Sequence, residues 1–168
     1  KYIGGRVAFL LKKKGKLNVE YKDLKQYFFE RGMEPSLASV RTALLEIRSQ
    51  KFPDITRIGT AGSFFKNPII PKEQCMKIID MYPTMPAFSL SAGTVKIPLA
   101  WILDKVCNMK GYRGGSAGLY EKQPLVLVNL GNATAQEVLR LASRVAEEVE
   151  KKVGIRIENE VQYLENVS

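Results

Sequence analysis

The chain has 168 residues, of which 45% are hydrophobic, 26% charged and 9% aromatic. This is the profile of one globular domain or of two small ones, and it excludes a disordered or collagen-like chain. No apolar run approaches the roughly 20 residues needed to span a bilayer, and lysines at 12–14 stand where a signal peptide would be apolar. We therefore expect a cytoplasmic protein with no membrane partner.

Metal and histidine chemistry are excluded by composition within this chain. It contains no histidine, and its two cysteines, Cys75 and Cys107, form no CxxC pair. A zinc site would therefore lack most of its usual ligands. We expect both cysteines, like Trp101, to pack in the core.

The net charge of +9 is concentrated in the N-terminal part. Residues 1–31 carry nine Lys or Arg against three acids, whereas residues 101–168 carry nine of each. Basic surfaces bind nucleic acids, anionic membranes or phosphorylated small molecules. The run at 12–14 is more typical of a solvated hairpin, because a glycine follows it and apolar residues flank it.

The first fifty residues predict a hairpin and two helices. A short apolar run over 7–11 and alternation over 17–21 favour two paired strands. Apolar residues recur at helical spacing from 23 to 31, where Gly32 provides the stop, and Ser36 is a candidate cap for the next helix. The apolar stripe of that second helix is Leu37, Val40, Leu44 and Ile47.

The middle of the chain predicts less regular structure. Residues 52–70 form neither a good helix nor a good strand, because glycines and a proline interrupt them. Pro71 opens a short helix that runs to Met81, and residues 82–93 are a connector with little pattern. Pro98 opens another helix.

The C-terminal third predicts a strand, a long helix and a second strand. The run 125–129 is typical of a buried strand, and Thr134 with Glu137 forms a capping box before a continuous apolar face. Residues 155–164 alternate between apolar and polar and predict a half-buried strand. The result is an α+β domain with a mixed or antiparallel sheet, packed helices and a split βαβ near the C-terminus.

The segment AGSFFKNP, residues 61–68, is the least ordinary part of the sequence. Its small residues allow a ligand to approach the backbone, and Phe64 and Phe65 would keep water from whatever Ser63 contacts. A hydroxyl in such a site becomes a proton donor if a cation or amide stabilises the alkoxide. The alternative is a tight turn with two core aromatics. The candidates for the cation or amide are Lys51, Lys66 and Asn67.

Two other features carry weaker signals. The cluster GYRGGSAG, residues 111–118, lacks the GKS or GKT ending of a phosphate loop and precedes no predicted helix. Glu160 lies on the polar face of the last predicted strand, and the pattern alone favours a solvated carboxylate over a general acid.

Taken in order, the segments QKFPD, AGSFFKNP, WILD, KGYRGG, LVLVN and ENEVQYL resemble the C-terminal half of the UDP-N-acetylenolpyruvoylglucosamine reductases. These flavoenzymes complete UDP-N-acetylmuramate in peptidoglycan synthesis. The resemblance covers essentially the whole chain, and AGSFFKNP is its most specific motif. Tyr21, in EYKDL, is similar to a tyrosine of the longer form of the enzyme.

The resemblance implies roles for particular residues. Ser63 matches the serine that protonates C2 of the enolpyruvyl group, and Glu160 matches a glutamate that stabilises or protonates the intermediate. Gln162 is also expected at the substrate, although the family often has arginine there, and Phe88 stands where relatives often have tyrosine. The other matched substrate-contacting positions are Tyr21, Lys51, Asn67, Lys110 and Gln123.

The resemblance also implies a domain plan. Residues 1–52 would be the end of a flavin-binding domain, 53–154 the substrate domain, and 155–168 a strand returning to the first domain. We expect FAD and NADPH to serve the intact enzyme, a monomer that binds UDP-N-acetylglucosamine-enolpyruvate. We expect no cofactor and no activity on this chain alone, and no nucleic-acid partner. The alternatives are a basic nucleic-acid-binding module and a noncatalytic interaction domain.

Overall fold

The computed structural model describes residues 5–13, 15–91 and 93–163. The chain divides into two compact units, Lys1–Arg48 and Ser49–Ser168. None of the helices in the described ranges is long and apolar enough to cross a membrane.

The hairpin predicted at the start of the first unit is not formed. Within the described residues 5–13 and 15–21 the structure contains no strand. The side chains of Val7, Phe9 and Leu10 are 75%, 79% and 103% exposed. A two-stranded hairpin is stable only when its apolar face is buried. The sequence pattern alone was therefore an insufficient reason to predict a hairpin in this segment.

The two helices of the first unit are confirmed. Helix α1 spans Lys22–Arg31 and ends at Gly32, whose φ of 57° gives the left-handed C-cap. Helix α2 spans Leu37–Lys51, and the Ser36 hydroxyl accepts from the Ser39 amide at 3.1 Å as the predicted cap. The buried core of this unit is Leu24, Phe28, Ala43 and Ile47.

The second unit is built from two antiparallel sheets and three helices in its described residues. The four-stranded sheet has the order β1-β7-β6-β5, and the three-stranded sheet has the order β2-β4-β3. The strands are β1 (Gly59–Ser63), β2 (Ile69–Pro71), β3 (Phe88–Ser91), β4 (Thr94–Lys96), β5 (Arg113–Gly114), β6 (Ala117–Leu119) and β7 (Val126–Asn129). The helices are α3 (Lys72–Met81), α4 (Leu99–Trp101), which continues as a π-helical turn (Ile102–Val106), and α5 (Ala135–Val153). The predicted α+β class is confirmed.

Helix α5 forms as its capping signals predict. The Thr134 hydroxyl accepts from the Glu137 amide, and the Glu137 carboxylate accepts from the Thr134 amide at 2.8 Å. Gly154, with φ 66°, ends the helix. Val145 and Val149 of α5 are fully buried. Trp101 is partly buried and packs against the core. Its ring meets the ring of Tyr82 edge-on, with 6.5 Å between the ring centroids.

Three strands lie where the sequence predicted a loop or a connector. Strand β1 falls within residues 52–70, β2 begins there at Ile69, and β3 falls within 82–93. These strands are three to five residues long, and bulges in β1 and β3 break the alternation that would reveal them.

The glycine cluster forms the hairpin β5–β6. Gly118 is required there for space, because a Cβ atom would lie 2.9 Å from the Tyr112 carbonyl oxygen and 3.1 Å from Leu130 Cδ1.

The strand predicted for residues 155–164 is not formed in its described part, 155–163. That segment makes one isolated antiparallel bridge, Phe65 with Asn159, so the predicted split βαβ is not completed. The alternation of apolar and polar residues here reflects burial against the core rather than strand pairing. Ile155 is buried and Ile157 packs against the core, while Arg156 faces solvent.

Candidate functional site

Ser63 is placed by a β-bulge in β1. Thr60 lies opposite Val128, and Ser63 lies opposite Val126, so β1 has one more residue than β7 between these pairs. Gly62, inside the bulge, has a φ of +81°, which glycine adopts without steric cost. Directly opposed residues in a sheet share a face, so the extra residue puts Ser63 on the Val126 face.

The two phenylalanines after Ser63 belong to the core. Phe64 and Phe65 are 3% and 1% exposed, and their rings meet edge-on at 5.2 Å. Ser63 itself is exposed. The expectation that these rings keep water from Ser63 is therefore wrong among the described residues, and the aromatic pair instead anchors the segment that carries the hydroxyl.

Glu160 is brought beside Ser63 through the backbone. The Glu160 amide donates to the Phe64 carbonyl at 2.9 Å, and the Lys66 amide donates to the Glu158 carbonyl at 2.9 Å. These two hydrogen bonds flank the Phe65–Asn159 bridge. Both residues proposed for proton chemistry are thus carried by directly hydrogen-bonded segments of chain.

Gln123 approaches the same segment from the opposite edge. The Phe64 amide donates to the Leu125 carbonyl at 2.8 Å, and the Gln123 side chain accepts from the Leu125 amide at 3.5 Å. Ser63 to Lys66 therefore lies between the turn before β7 and the C-terminal segment. The structure brings together the three separate segments of chain that carry Ser63, Gln123 and Glu160.

Lys66 forms an ion pair at the site. Its Nζ lies 2.9 Å from Oε2 of Glu158, and both side chains remain largely exposed. The hydrogen bond from Lys66 lowers the pKa of the Glu158 carboxyl, and the same bond raises the pKa of Lys66. Glu160 makes a smaller contribution in the same direction to the pKa of Lys66.

Asn67 has a structural partner. Its Oδ1 accepts from the Leu99 amide at 2.9 Å, which satisfies a donor at the first residue of α4. Its side-chain Nδ2 group retains two protons for a ligand.

The remaining predicted residues take no part in the backbone hydrogen bonds that join Phe64 and Lys66 to Leu125, Glu158 and Glu160. Lys110 follows the π-helical turn, and its Nζ is 3.6 Å from Oδ2 of Asp104. Lys51 is the half-buried last residue of α2, and Gln162 is exposed. Tyr21 belongs to the first unit, where it precedes α1 and is 49% exposed.

Thr60 was not identified from the sequence. Its Oγ1 donates to the Leu127 carbonyl at 2.8 Å and accepts from the Gly62 amide at 3.0 Å. A hydroxyl residue two positions before a glycine is a local signal for this kind of turn, and it is present in the segment GTAGS.

The described residues contain no cluster of metal ligands, and their glycine cluster is part of a β-hairpin. They contain no group of three or more His, Cys, Asp or Glu that could hold a metal ion. The glycine cluster that a nucleotide phosphate would need forms the β5–β6 hairpin rather than a loop at a helix N-terminus. This cluster is therefore not a phosphate-binding loop of that kind.

The chain is similar to known reductases over almost all of its length. It is 39% identical over 158 residues to UDP-N-acetylenolpyruvoylglucosamine reductase of Porphyromonas gingivalis. The aligned residues make up 94% of this chain and 46% of that protein. The same enzyme of Chromobacterium violaceum is 39% identical over 155 residues, covering 92% and 45%. That of Polynucleobacter asymbioticus is 38% identical over 164 residues, covering 98% and 47%. The chain spans about half the length of these curated relatives.

A family model describes the part of the chain that contains Ser63 and Glu160. The model is that of the C-terminal domain of UDP-N-acetylenolpyruvoylglucosamine reductase, and it matches residues 53–164. The chain therefore belongs to the UDP-N-acetylenolpyruvoylglucosamine reductase family, within which it corresponds to the C-terminal half.

Proposed function

We propose that the protein containing this chain reduces UDP-N-acetylglucosamine-enolpyruvate to UDP-N-acetylmuramate for peptidoglycan synthesis, with NADPH and FAD. The chain supplies the substrate-binding part of that enzyme. The observation that carries the proposal is the family match over residues 53–164. This range includes the backbone hydrogen bonds that join the segment after Ser63 to the segment that contains Glu160. The chain spans about half the length of its curated relatives, and we propose that the flavin is bound by the part of the protein outside this chain.

Ser63 has the chemistry needed for the second half of the reduction. Once a hydride is added at C3 of the enolpyruvyl group, an electron pair is left at C2. One proton donated to C2 from the Ser63 hydroxyl saturates the former double bond. The exposure of Ser63 supports this role, because the donor must reach a ligand.

Glu160 is proposed to act on the same intermediate. The carboxylate of the substrate and the electrons at C2 together give the intermediate two negative charges, so a stabilising group must be a proton donor or lie beside a cation. The backbone hydrogen bond from the Glu160 amide to the carbonyl of Phe64, the residue after Ser63, supports this proposal.

Substrate contacts are proposed for the other matched residues. Lys51 and Lys110 carry the positive charge that a diphosphate requires. Asn67 and Gln123 offer amide donors. Tyr21 and Gln162 complete the proposed set, and the first of these lies in the unit Lys1–Arg48.

The proposal is tested with the full-length protein. Purified protein loaded with FAD is mixed with NADPH, with and without UDP-N-acetylglucosamine-enolpyruvate, and NADPH absorbance is followed. We expect oxidation that depends on the substrate and gives UDP-N-acetylmuramate by mass spectrometry. Failure of a folded, flavin-loaded protein to consume NADPH in response to substrate would overturn the proposal.

A second measurement separates the alternative binding class. This chain is titrated with UDP-N-acetylglucosamine and with a random oligonucleotide at low and high salt. The reductase proposal predicts binding of the UDP-sugar. Tight oligonucleotide binding that weakens steeply with salt would instead support a nucleic-acid-binding module.

A further inference from the structure

The bulge in β1 interrupts the regular pairing of β1 with β7. Leu127 is the single residue of β7 opposite the two bulge residues, Ala61 and Gly62. At such a position the regular ladder of backbone hydrogen bonds is interrupted, and its donors and acceptors need other partners. The bulge is therefore only as stable as the groups that replace the lost bond.

The Thr60 hydroxyl is the group that bridges this interruption. It donates to the Leu127 carbonyl at 2.8 Å and accepts from the Gly62 amide at 3.0 Å. One oxygen atom thus joins a carbonyl of β7 to an amide inside the bulge of β1. Only a side chain that both donates and accepts can do this, which excludes valine although its shape is the same as that of threonine.

The position of Ser63 depends on this bridge. If the extra residue were lost from the register, Gly62 would lie opposite Val126, and Ser63 would turn to the other face of the sheet. Gly62 contributes conformation rather than packing, because a Cβ atom there would meet nothing within 4 Å. The hydrogen bonds of Thr60 act inside the bulge itself, in addition to the Phe64–Leu125 hydrogen bond and the buried phenylalanines that follow Ser63.

We propose that Thr60 is a positioning residue, whose hydroxyl holds the bulge that presents Ser63 to the substrate. This inference rests on the proposed function, because it gives Thr60 a role only through the proton donated by Ser63. It assigns Thr60 no contact with the substrate. A misplacement of about 1 Å in such a donor costs up to roughly 10²-fold in rate.

The kinetic test uses Thr60→Val and Thr60→Ser in the full-length, flavin-loaded protein. We expect Thr60→Val to lower kcat for substrate reduction about 10- to 100-fold, with KM changed less than about threefold. Thr60→Ser keeps the donor and the acceptor, so its kcat stays within about threefold of the parent. Thr42→Val on α2, which removes a hydroxyl bonded to the Ala38 carbonyl at 3.2 Å, is the matched control and leaves kcat unchanged.

The same substitution is made in a Ser63→Ala background. If Thr60 acts through Ser63, Thr60→Val adds no further loss of rate once the hydroxyl of Ser63 is absent. An equal loss in both backgrounds would show that Thr60 supports the fold rather than the proton donor, and would overturn the inference.

Hydrogen exchange provides a readout that does not depend on activity. We expect the Gly62 amide to exchange faster in Thr60→Val and at the parent rate in Thr60→Ser, because only valine removes its acceptor. Unchanged exchange in Thr60→Val would overturn the inference, even in an active enzyme. An inactive parent would overturn the proposed function and this inference together, whereas an active parent with an undiminished Thr60→Val variant would overturn the inference alone.

Discussion

The Glu160 amide donates a hydrogen bond of 2.9 Å to the carbonyl of Phe64, the residue that follows Ser63. This bond joins the two residues proposed for proton chemistry through main-chain atoms. Substituting the side chain of Glu160 or Ser63 therefore leaves the bond in place. The two proposed roles can be tested by substitution with little risk to the local fold.

Ser63→Ala should slow substrate reduction and spare the reaction of the enzyme with NADPH. Losing a positioned general acid costs about 10²- to 10⁴-fold in rate, whereas NADPH oxidation does not use this hydroxyl. Stopped-flow measurements on the full-length protein separate the two half-reactions. Ser143→Ala on the exposed side of α5 is the control and should affect neither. Equal slowing of both half-reactions would indicate that Ser63 is structural.

Glu160→Gln should also be slow in the half-reaction with substrate, by roughly 10²-fold. The amide keeps the shape of the side chain and the backbone bond to Phe64, so the loss reports on the carboxyl alone. Circular dichroism and flavin content should match the parent. A variant as fast as the parent would return Glu160 to the role of a solvated carboxylate.

Gln162→Arg should reduce substrate at least as fast as the parent. A neutral amide hydrogen-bonds an anion but adds no positive charge, whereas arginine would stabilise an intermediate with two negative charges. Steady-state kcat in the full-length protein is the measurement. A marked loss with unchanged folding and flavin content would show that the site is organised around the amide of Gln162.

Lys66→Met should raise the pKa of the Glu158 carboxyl towards its ordinary value of 4.5, because the hydrogen bond from Lys66 holds it below that value. A depressed carboxyl pKa in the folded state stabilises the fold at pH above 4.5, and this contribution is lost as pH falls through the folded pKa. An NMR titration of the Glu158 carboxyl measures the shift. Lys77→Met on α3 is the control, and an unchanged Glu158 titration in Lys66→Met would contradict the ion pair.

Gly118→Ala should destabilise the second unit. The added Cβ atom would lie 2.9 Å from the Tyr112 carbonyl oxygen, so backbone must move, and overpacking of this kind costs about 1–3 kcal/mol. Urea denaturation gives the free energy of unfolding. Gly131→Ala is the matched control, because nothing lies within 4 Å of its Cβ position. Equal stabilities of the two variants would refute the steric argument.

The helices could be predicted because their signals are local. Gly32 ends α1, and Thr134 with Glu137 begins α5, through contacts within four residues. The predicted strands were less reliable, because a strand requires a distant partner. Residues 7–11 form an apolar run but remain exposed, whereas β1 pairs with β7 although a bulge conceals its alternation.

The candidate site shows the same division. The motif around Ser63 indicated the family, and the family match confirms that prediction. The same motif suggested which residues form the candidate site. The convergence of Ser63, Gln123 and Glu160 depends on hydrogen bonds between segments far apart in sequence, and so does the contact of Thr60 with Leu127. Patterns within one segment contain no information on those partners.

Trp101 is the only tryptophan among the 168 residues, and its ring lies edge-on to Tyr82, which follows α3. Its indole emission therefore originates entirely from the unit Ser49–Ser168. Within this chain, selective excitation of tryptophan would follow melting of the α3–α4 region without any contribution from α1. The chain thus carries its own fluorescent reporter for one of its two units, and no dye needs to be attached at Cys75 or Cys107.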